Sequence, residues 1–293
     1  MKKIASDTKS ALFFILPAII CLAFIYFFPI FLCFYQSLTD ESLLRETSNF
    51  IGLNNYFRLL NDADFYRAIN NTIIWAFTSS FLQALIGLGI ALILNQEFKG
   101  RTVSRVLVIL PWTTPIIVIC VLWAWLFAHP AGIINYLLVA SGVIGQSIPW
   151  LASKSYSLWI TCFVWTWSST PLFVIAVLGA LQSVPPSLYD AAKVDGANAF
   201  QIFRSIVLPH ILPVFSVMFT LRLIASFNHF STIFFLTEGG PAGSSETMPI
   251  FIFRRFWKEY DLGYAAAASI TNMALMYIIW SSYSFLRGKL LGE

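Results

Sequence analysis

S-L-Y-D-A-A-K-V-D-G-A-N-A-F-Q-I-F-R-S-I-V-L-P, residues 187–209, lies between two long apolar runs and carries charges, a glycine and small alanines that a plain connection would not need. Pro185 and Pro186 precede Ser187, and Asp190 follows it by three positions, the acidic form of a capping box, so the spacing predicts a helix start at Ser187. Gly196 is placed to take the left-handed conformation that ends such a helix. Phe200, Phe203, Ile206 and Val207 then share one helical face leading into Leu208-Pro209. The stretch reads as a short helix, a glycine turn and a second helix that enters an apolar phase.

The rest of the chain supplies that phase. Of 293 residues, 58% are hydrophobic and 11% charged, against about 25% charged in a soluble domain. Apolar runs of about 20 residues, enough to cross roughly 30 Å of hydrocarbon, recur along it. The expectation is an all-α membrane protein, one transmembrane domain over residues 1–293. Cys21, Cys33, Cys120 and Cys162 all lie in apolar runs, which points to neither a disulfide framework nor a zinc site. The first run is too long for a signal peptide and no cleavage site follows it, so it is expected to remain as a helix.

In order, the runs cover about 11–38, 69–94, 106–127, 158–181, 206–236 and 262–286. Pro111 and Pro115 interrupt the third. A short interfacial helix is expected around 133–139 and an amphipathic one over 250–260. Trp75, Trp150 and Trp257, near run ends, are expected in the interfacial belt. Six spans put both termini on one side. With them inside, the inner segments hold ten basic residues (Lys2, Lys3, Lys9, Lys99, Arg101, Arg105, Lys193, Arg204, Arg287, Lys289) in short loops. The outer ones hold seven (Arg45, Arg58, Arg67, Lys154, Arg254, Arg255, Lys258) over longer ones. The positive-inside rule then makes the termini and the 187–209 stretch cytoplasmic.

A helix with Leu188, Ala191, Ala192 and Val194 on one face must bury that face on lipid, on its own bundle or in another protein. An interfacial helix carries Lys and Arg on its polar face, whereas this one carries Asp190 and Asp195 with a single Lys193. Small alanines favour close docking in a groove. Chemistry leaves docking to a cytoplasmic partner and packing within the bundle both open.

Y-D-A-A-K-V-D-G-A-N-A-F-Q-I-F-R-S-I-V-L-P resembles the E-A-A-x-x-x-G loop, with its downstream I-x-L-P, of ABC-importer permeases. More narrowly it looks like the binding-protein-dependent sugar permeases of the maltose and glycerol-phosphate type. G-L-N-N-Y at 52–56, the basic loop before Leu110-Pro111, L-Q-S-V-P at 181–185, S-F-N-H-F at 226–230 and T-E-G-G-P at 237–241 fit that family in order, across nearly the whole chain. Asp190 stands where the family usually has Glu, one methylene shorter. The resemblance implies a six-helix type I importer permease in the cytoplasmic (inner) membrane of a bacterium or archaeon. It implies a coupling loop at about 183–205, with Ser187, Asp190, Ala191, Ala192, Asp195 and Gly196 seating a cytoplasmic ATPase. For Asp190 the competing role is a helix-start acid complementing the dipole, about 0.3–1 kcal/mol; for Asp195 it is a local turn. Implied partners are a second homologous permease, two ATPase subunits, an extracytoplasmic solute-binding protein and membrane lipid, with no nucleic acid. ATP and Mg would sit on the partner subunits, and this chain would be no enzyme.

The residues bear on the energy source independently. The sequence contains no G-x-x-x-x-G-K-[ST] loop. His129, His210 and His229 are scattered, and the apolar runs hold essentially no Asp or Glu, which an ion-coupled carrier needs along its path. A self-contained secondary carrier or channel is the alternative reading. Polar groups gather with prolines and aromatics at a few depths: Thr113 and Thr114 near Trp112, Ser168, Ser169 and Thr170 near Trp165 and Trp167, and Ser226 and Asn228 with Phe227, His229 and Phe230. Helices broken beside hydroxyls expose backbone to a cavity, and neutral donors next to rings suit a carbohydrate or polyol-like solute. The expected pathway residues are Asn228, His229, Phe227, Ser226, Thr170, Thr114 and Trp167. For the hydroxyls, interhelical hydrogen bonding at about 0.6 kcal/mol each competes. Asn228 and His229 match positions that face the sugar in the maltose permease, whereas Thr170 stands where that permease has a tyrosine. Arg222, within the fifth run, is a site candidate by its cost of burial; pairing with a neighbouring helix is the equal alternative.

Overall fold

Apolar runs too long to stay in water fold here as the sequence dictates: the computed structural model describes residues 13–291 and consists of helices, with two isolated bridges (Thr39 with Phe50, Ser42 with Asp261) in place of any strand among the described residues. Lys2, Lys3 and Lys9, which entered the topology reading, lie outside them. The helices are α1 (Phe13–Ser37), α2 (Asn54–Leu60), α3 (Ala63–Asn95), α4 (Arg101–Thr113), α5 (Ile116–Leu126), α6 (Ile133–Ala140), α7 (Ser157–Gln182), α8 (Pro186–Val194), α9 (Ala199–Phe227), α10 (Ser231–Thr237), α11 (Met248–Trp257) and α12 (Leu262–Leu291). α1, α3, α7, α9 and the stretch Leu262–Phe285 of α12 are each long and apolar enough to span a bilayer. α4 and α5 make a sixth span only as a pair bent by 96°.

That bend has a local cause. Thr114 precedes Pro115, and the proline ring drives the residue before it out of the helical region, to φ −80° and ψ 134°. Pro115 has no N–H to give the Pro111 carbonyl, and at the bend the Leu110 carbonyl accepts from the hydroxyls of Thr113 (3.1 Å) and Thr114 (2.8 Å). The fifth run, expected as one span to residue 236, is likewise divided: α9 ends at Phe227, and α10 restarts at Ser231.

Close contacts sort the chain into two units: residues up to Asp62 with Ile252–Leu275, and Ala63–Phe251 with residues from Met276 on. In the first, Asn55 of the G-L-N-N-Y motif is fully buried; its amide donates to the Ser37 and Thr39 carbonyls and its oxygen accepts from Arg58. Asp62 accepts from Arg255 (2.9 Å) and Tyr264 (2.7 Å), so Arg255 of the amphipathic helix is paired. In the second, α3, α7 and α9 pack around Ala84, Ala91, Leu94, Phe173, Val174, Val177, Val207 and Ile211. Gly87 allows α3 and α7 to approach closely: a Cβ there would stand 3.0 Å from Phe173 Cβ. Asn71 holds the 239–246 loop by donating to the carbonyls of Gly243, Ser244 and Glu246.

Candidate functional site

The 187–209 stretch forms the helix–turn–helix its residues predict, with one correction. Ser187 does not cap α8 through Asp190: the N-cap is Pro185, with Pro186 in the first turn and no side-chain cap. A proline has its φ already set for a first helical turn and lacks the N–H that a cap would satisfy, so the helix starts earlier. Asp190 instead lies 3.9 Å from Lys193 Nζ, both side chains more than two-thirds exposed, an arrangement that contributes little to stability. At the far end Gly196 sits at φ 75°. Its N–H donates to the Lys193 carbonyl and that of Ala197 to the Ala192 carbonyl, the paired bonds of a Schellman turn. Two residues on, Asn198 and Gln201 form a reciprocal capping box, each side chain accepting from the other's backbone N–H at 3.0 and 2.8 Å. Ser183, past the end of α7, is tied to His210 of α9 at 3.1 Å.

Packing within the chain leaves this helix largely bare. α8 has no buried residue, with Leu188 and Val194 43% and 88% exposed. Ala191 is exposed, as are Asp195 and Gly196, and Ala192 is half-buried. Tyr189 alone on α8 packs against the α3–α7–α9 core. Packing on the chain's own bundle thus covers only Tyr189 and part of Ala192 on this helix.

The expected pathway residues fall into two groups and two outliers. Ser226 and His229 belong to a buried polar and aromatic cluster at the break after α9. Ser226 Oγ accepts from Ser79 (3.2 Å), Ser80 (3.3 Å) and the Trp165 indole (3.0 Å). His229 lies against the Trp165 ring at 3.5 Å between centroids and near Trp75 at 5.6 Å, and its Nε2 accepts the Thr232 N–H at 3.2 Å. Phe227 is fully buried beside them, edge-on to Phe77. Arg222, one turn before Ser226, donates from Nε to Gln83 Oε1 at 2.7 Å and stacks over Trp165 at 4.9 Å. Its Nη2 and the Gln83 amide nitrogen are buried with no partner among the described residues, the kind of orphan donors that native interiors rarely keep.

Trp167 and Thr170 instead line a separate cleft of about 420 Å³ with Leu82, Ile86, Pro111 and Cys162. Its walls are chiefly apolar, and the Thr170 hydroxyl is spent on the Thr166 carbonyl at 2.7 Å. Asn228 points elsewhere, exposed, its amide donating to the Ile224 carbonyl (3.3 Å) and towards Met276 Sδ (3.1 Å). Thr114 stands at the α4–α5 bend, bonded as above.

Trp75 requires a second correction. It is not at an interface: it is 1% exposed and its indole donates to Thr161 at 3.3 Å. Trp75, Ser79 and Gln83 were missed as site candidates, although their spacing by four places them on one face of α3, a polar stripe inside an apolar run that the sequence already displayed.

Long apolar helices, one bent at a proline and one broken beside a buried polar cluster, together with a bare charged helix between two of them, define a multi-pass membrane protein of the transporter class. Residues 83–290 match the family described as the binding-protein-dependent transport system inner membrane component, and the chain belongs to that family. It is 35% identical over 264 residues to the probable ABC transporter permease protein y4oQ of Sinorhizobium fredii, covering 89% of this chain and 84% of that one. It is 32% identical over 270 residues to the trehalose/maltose transport system permease protein MalF of Thermococcus litoralis, covering 92% and 90%. In fold it resembles a solved bacterial ABC transporter involved in the import of the acidic polysaccharide alginate, with a TM-score of 0.84 at 23% identity over 99% of both chains. It is an integral, multi-pass inner-membrane permease component with the type I importer fold.

Proposed function

We propose that this chain is the membrane subunit of an ATP-driven importer for a carbohydrate or polyol-like solute, with α8 seated in a groove of a cytoplasmic ATPase. The observation that carries the reading is α8 itself. Its apolar face, Leu188 and Val194 included, stays exposed, while its one junction to α9 is closed by two sets of local hydrogen bonds. A bare apolar helix held in a fixed conformation is what helix-in-groove docking needs. The excess of basic residues in the short loops supports an orientation with α8 and both termini in the cytoplasm. Further partners in this reading are a second, homologous permease and an extracytoplasmic solute-binding protein, with ATP and Mg on the ATPase subunits. One solved neighbour is a complex of an alginate ABC transporter with its pentasaccharide-bound periplasmic protein.

The names of relatives support a sugar-like cargo: besides the trehalose/maltose permease, the chain is 30% identical over 278 residues to a sulfoquinovosyl glycerol permease of Agrobacterium fabrum, covering 94% and 90%. Neutral hydroxyls beside indoles suit such a solute, and Asn228, exposed at the break, with His229, Phe227, Ser226, Thr170, Thr114 and Trp167, forms the proposed pathway. Ser226 and Phe227 are closed off in the present conformation, so in this reading they act when α9 moves against α3 and α7. ATP drives that movement by binding the two conformations unequally.

Asp190→Lys tests the coupling. In the reconstituted complex it should abolish solute-dependent ATP hydrolysis while the chain still inserts and assembles. Unchanged transport would refute the seat assigned to α8.

A further inference from the structure

At the end of the bundle that carries α8, a cleft of about 310 Å³ opens between α4 and α7, lined by Leu94, Arg105, Val108, Ile109, Val174, Ile175, Leu178, Gly179 and Gln182. Its lining is aliphatic apart from Gly179 and two polar side chains, Arg105 of α4 and Gln182 at the end of α7. Arg105 and Arg101 both reach the C-terminus of α3: Arg101 Nε donates to the Leu94 carbonyl at 2.8 Å, and Arg105 Nη2 to the same oxygen at a longer 3.3 Å. A guanidinium has five N–H donors, and the Arg105 Nε is buried with no partner among the described residues. Lys99 stands near Arg105 in sequence, against the single acid Glu97, so residues 95–105 carry three basic groups and one acidic one. The larger cleft beside Pro111 and Trp167 has aliphatic and aromatic walls but no cation.

An aliphatic slot that ends at an under-used guanidinium matches one kind of molecule, a single chain of hydrocarbon joined to an anion. We propose that this cleft binds one anionic phospholipid of the leaflet facing α8, its phosphate on Arg105 and its upper acyl chain along Val108, Ile109, Ile175 and Leu178. Basic pockets between spanning helices favour such head groups, at about 1 kcal/mol per Lys or Arg near the surface. That the leaflet is the cytoplasmic one rests on the orientation proposed above; the cleft's chemistry does not. The site would couple the packing of α4 on α7 to the lipid around the importer.

Gly179 offers a clean probe, because a Cβ built on it meets nothing within 4 Å. A Gly179→Leu side chain therefore starts in open space at the wall of the slot. The purified chain in detergent would be given phosphatidylglycerol or phosphatidylcholine at equal mole fraction, and the lipid retained per chain weighed by native mass spectrometry. Phosphatidylglycerol should be retained in preference, at one per chain. Arg105→Ala should lower its retention roughly fivefold, the equivalent of about 1 kcal/mol, and Gly179→Leu should lower retention of both lipids. Arg105→Lys, which keeps the charge, should recover most of the preference if loss of the α3 cap is not the cause. Equal retention of the two lipids by the unaltered chain would overturn the proposal. So would undiminished phosphatidylglycerol on Gly179→Leu. Labelling of a Lys99→Cys thiol from either side of the membrane reports orientation separately, so a wrong leaflet and an absent site give different results.

Discussion

Gln83 holds the most exacting position in the chain. It is buried, it sits 139 residues from Arg222, and its oxygen is the acceptor that Arg222 Nε has. Gln83→Leu keeps the volume but leaves a guanidinium N–H unanswered in an apolar interior. The expected loss is about 2 kcal/mol, the range for a hydrogen bond to a charged group. A thermal unfolding scan in detergent should show a clear drop in midpoint, and an unchanged midpoint would mean that the pair is not holding α9 to α3. Outside the membrane, Asp40 accepts the Asn49 backbone N–H and side-chain amide, and the Asn49 N–H is the main reason its carboxyl titrates below the usual range. A depressed carboxylate stabilises the fold above its unfolded pKa, and that contribution disappears as pH falls through the folded value. Asp40→Asn should therefore lower the neutral plateau and flatten the acid limb of the stability profile; a variant with the parent's neutral stability and acid sensitivity would assign that limb elsewhere.

At the scale of elements, α3 and α7 approach each other at Gly87, and adding bulk there is the direct test of that packing. Gly87→Leu brings atoms into the 3.0 Å gap to Phe173, and overpacking of this kind costs about 1–3 kcal/mol. A lowered unfolding midpoint, relieved when Phe173 is shortened to Leu in the same chain, is the expected outcome; a midpoint that Phe173→Leu does not restore would place the strain somewhere else. The elements are also what the sequence reveals best. Because a span's signal is local and long, period and run length give α7 nearly to its ends and place α3 and α12, although α3 starts six residues before the apolar run, at Ala63. The start of α8 is disguised because Ser187 and Asp190 imitate a cap that Pro185 and Pro186 already make unnecessary, whereas the capping box that does form, Asn198 with Gln201, is equally present in the sequence. Pro115 is legible as an interruption of the third run, but a 96° turn depends on where the two halves find packing, and no local pattern carries that.

For the whole molecule, the family and the inner-membrane location follow from motifs in order along the chain, while the members of the buried cluster are visible singly but not as a cluster. Trp75, Gln83, Trp165 and Arg222 come together from three helices far apart in sequence, so each looks in isolation like a belt tryptophan, a stray amide or an orphan charge. The proposed division of labour predicts that lipid vesicles containing this chain alone take up no maltose or comparable sugar, with or without a proton gradient. Radiolabelled uptake in such vesicles would establish a self-contained carrier instead.

The junction from α8 into α9 has a mechanical consequence. Between Val194 and Gln201 the backbone turns through a Schellman pair and a reciprocal cap, and Ser183 with His210 braces the neighbouring helix end. A connection stitched in this way has little slack: a displacement imposed on α8 is not absorbed by torsions between the two helices but is delivered to the foot of α9. Some 20 residues along that same helix stand Arg222 and Ser226, so the stiffness of a few exposed turns sets how much of a push at one membrane surface reaches the buried cluster.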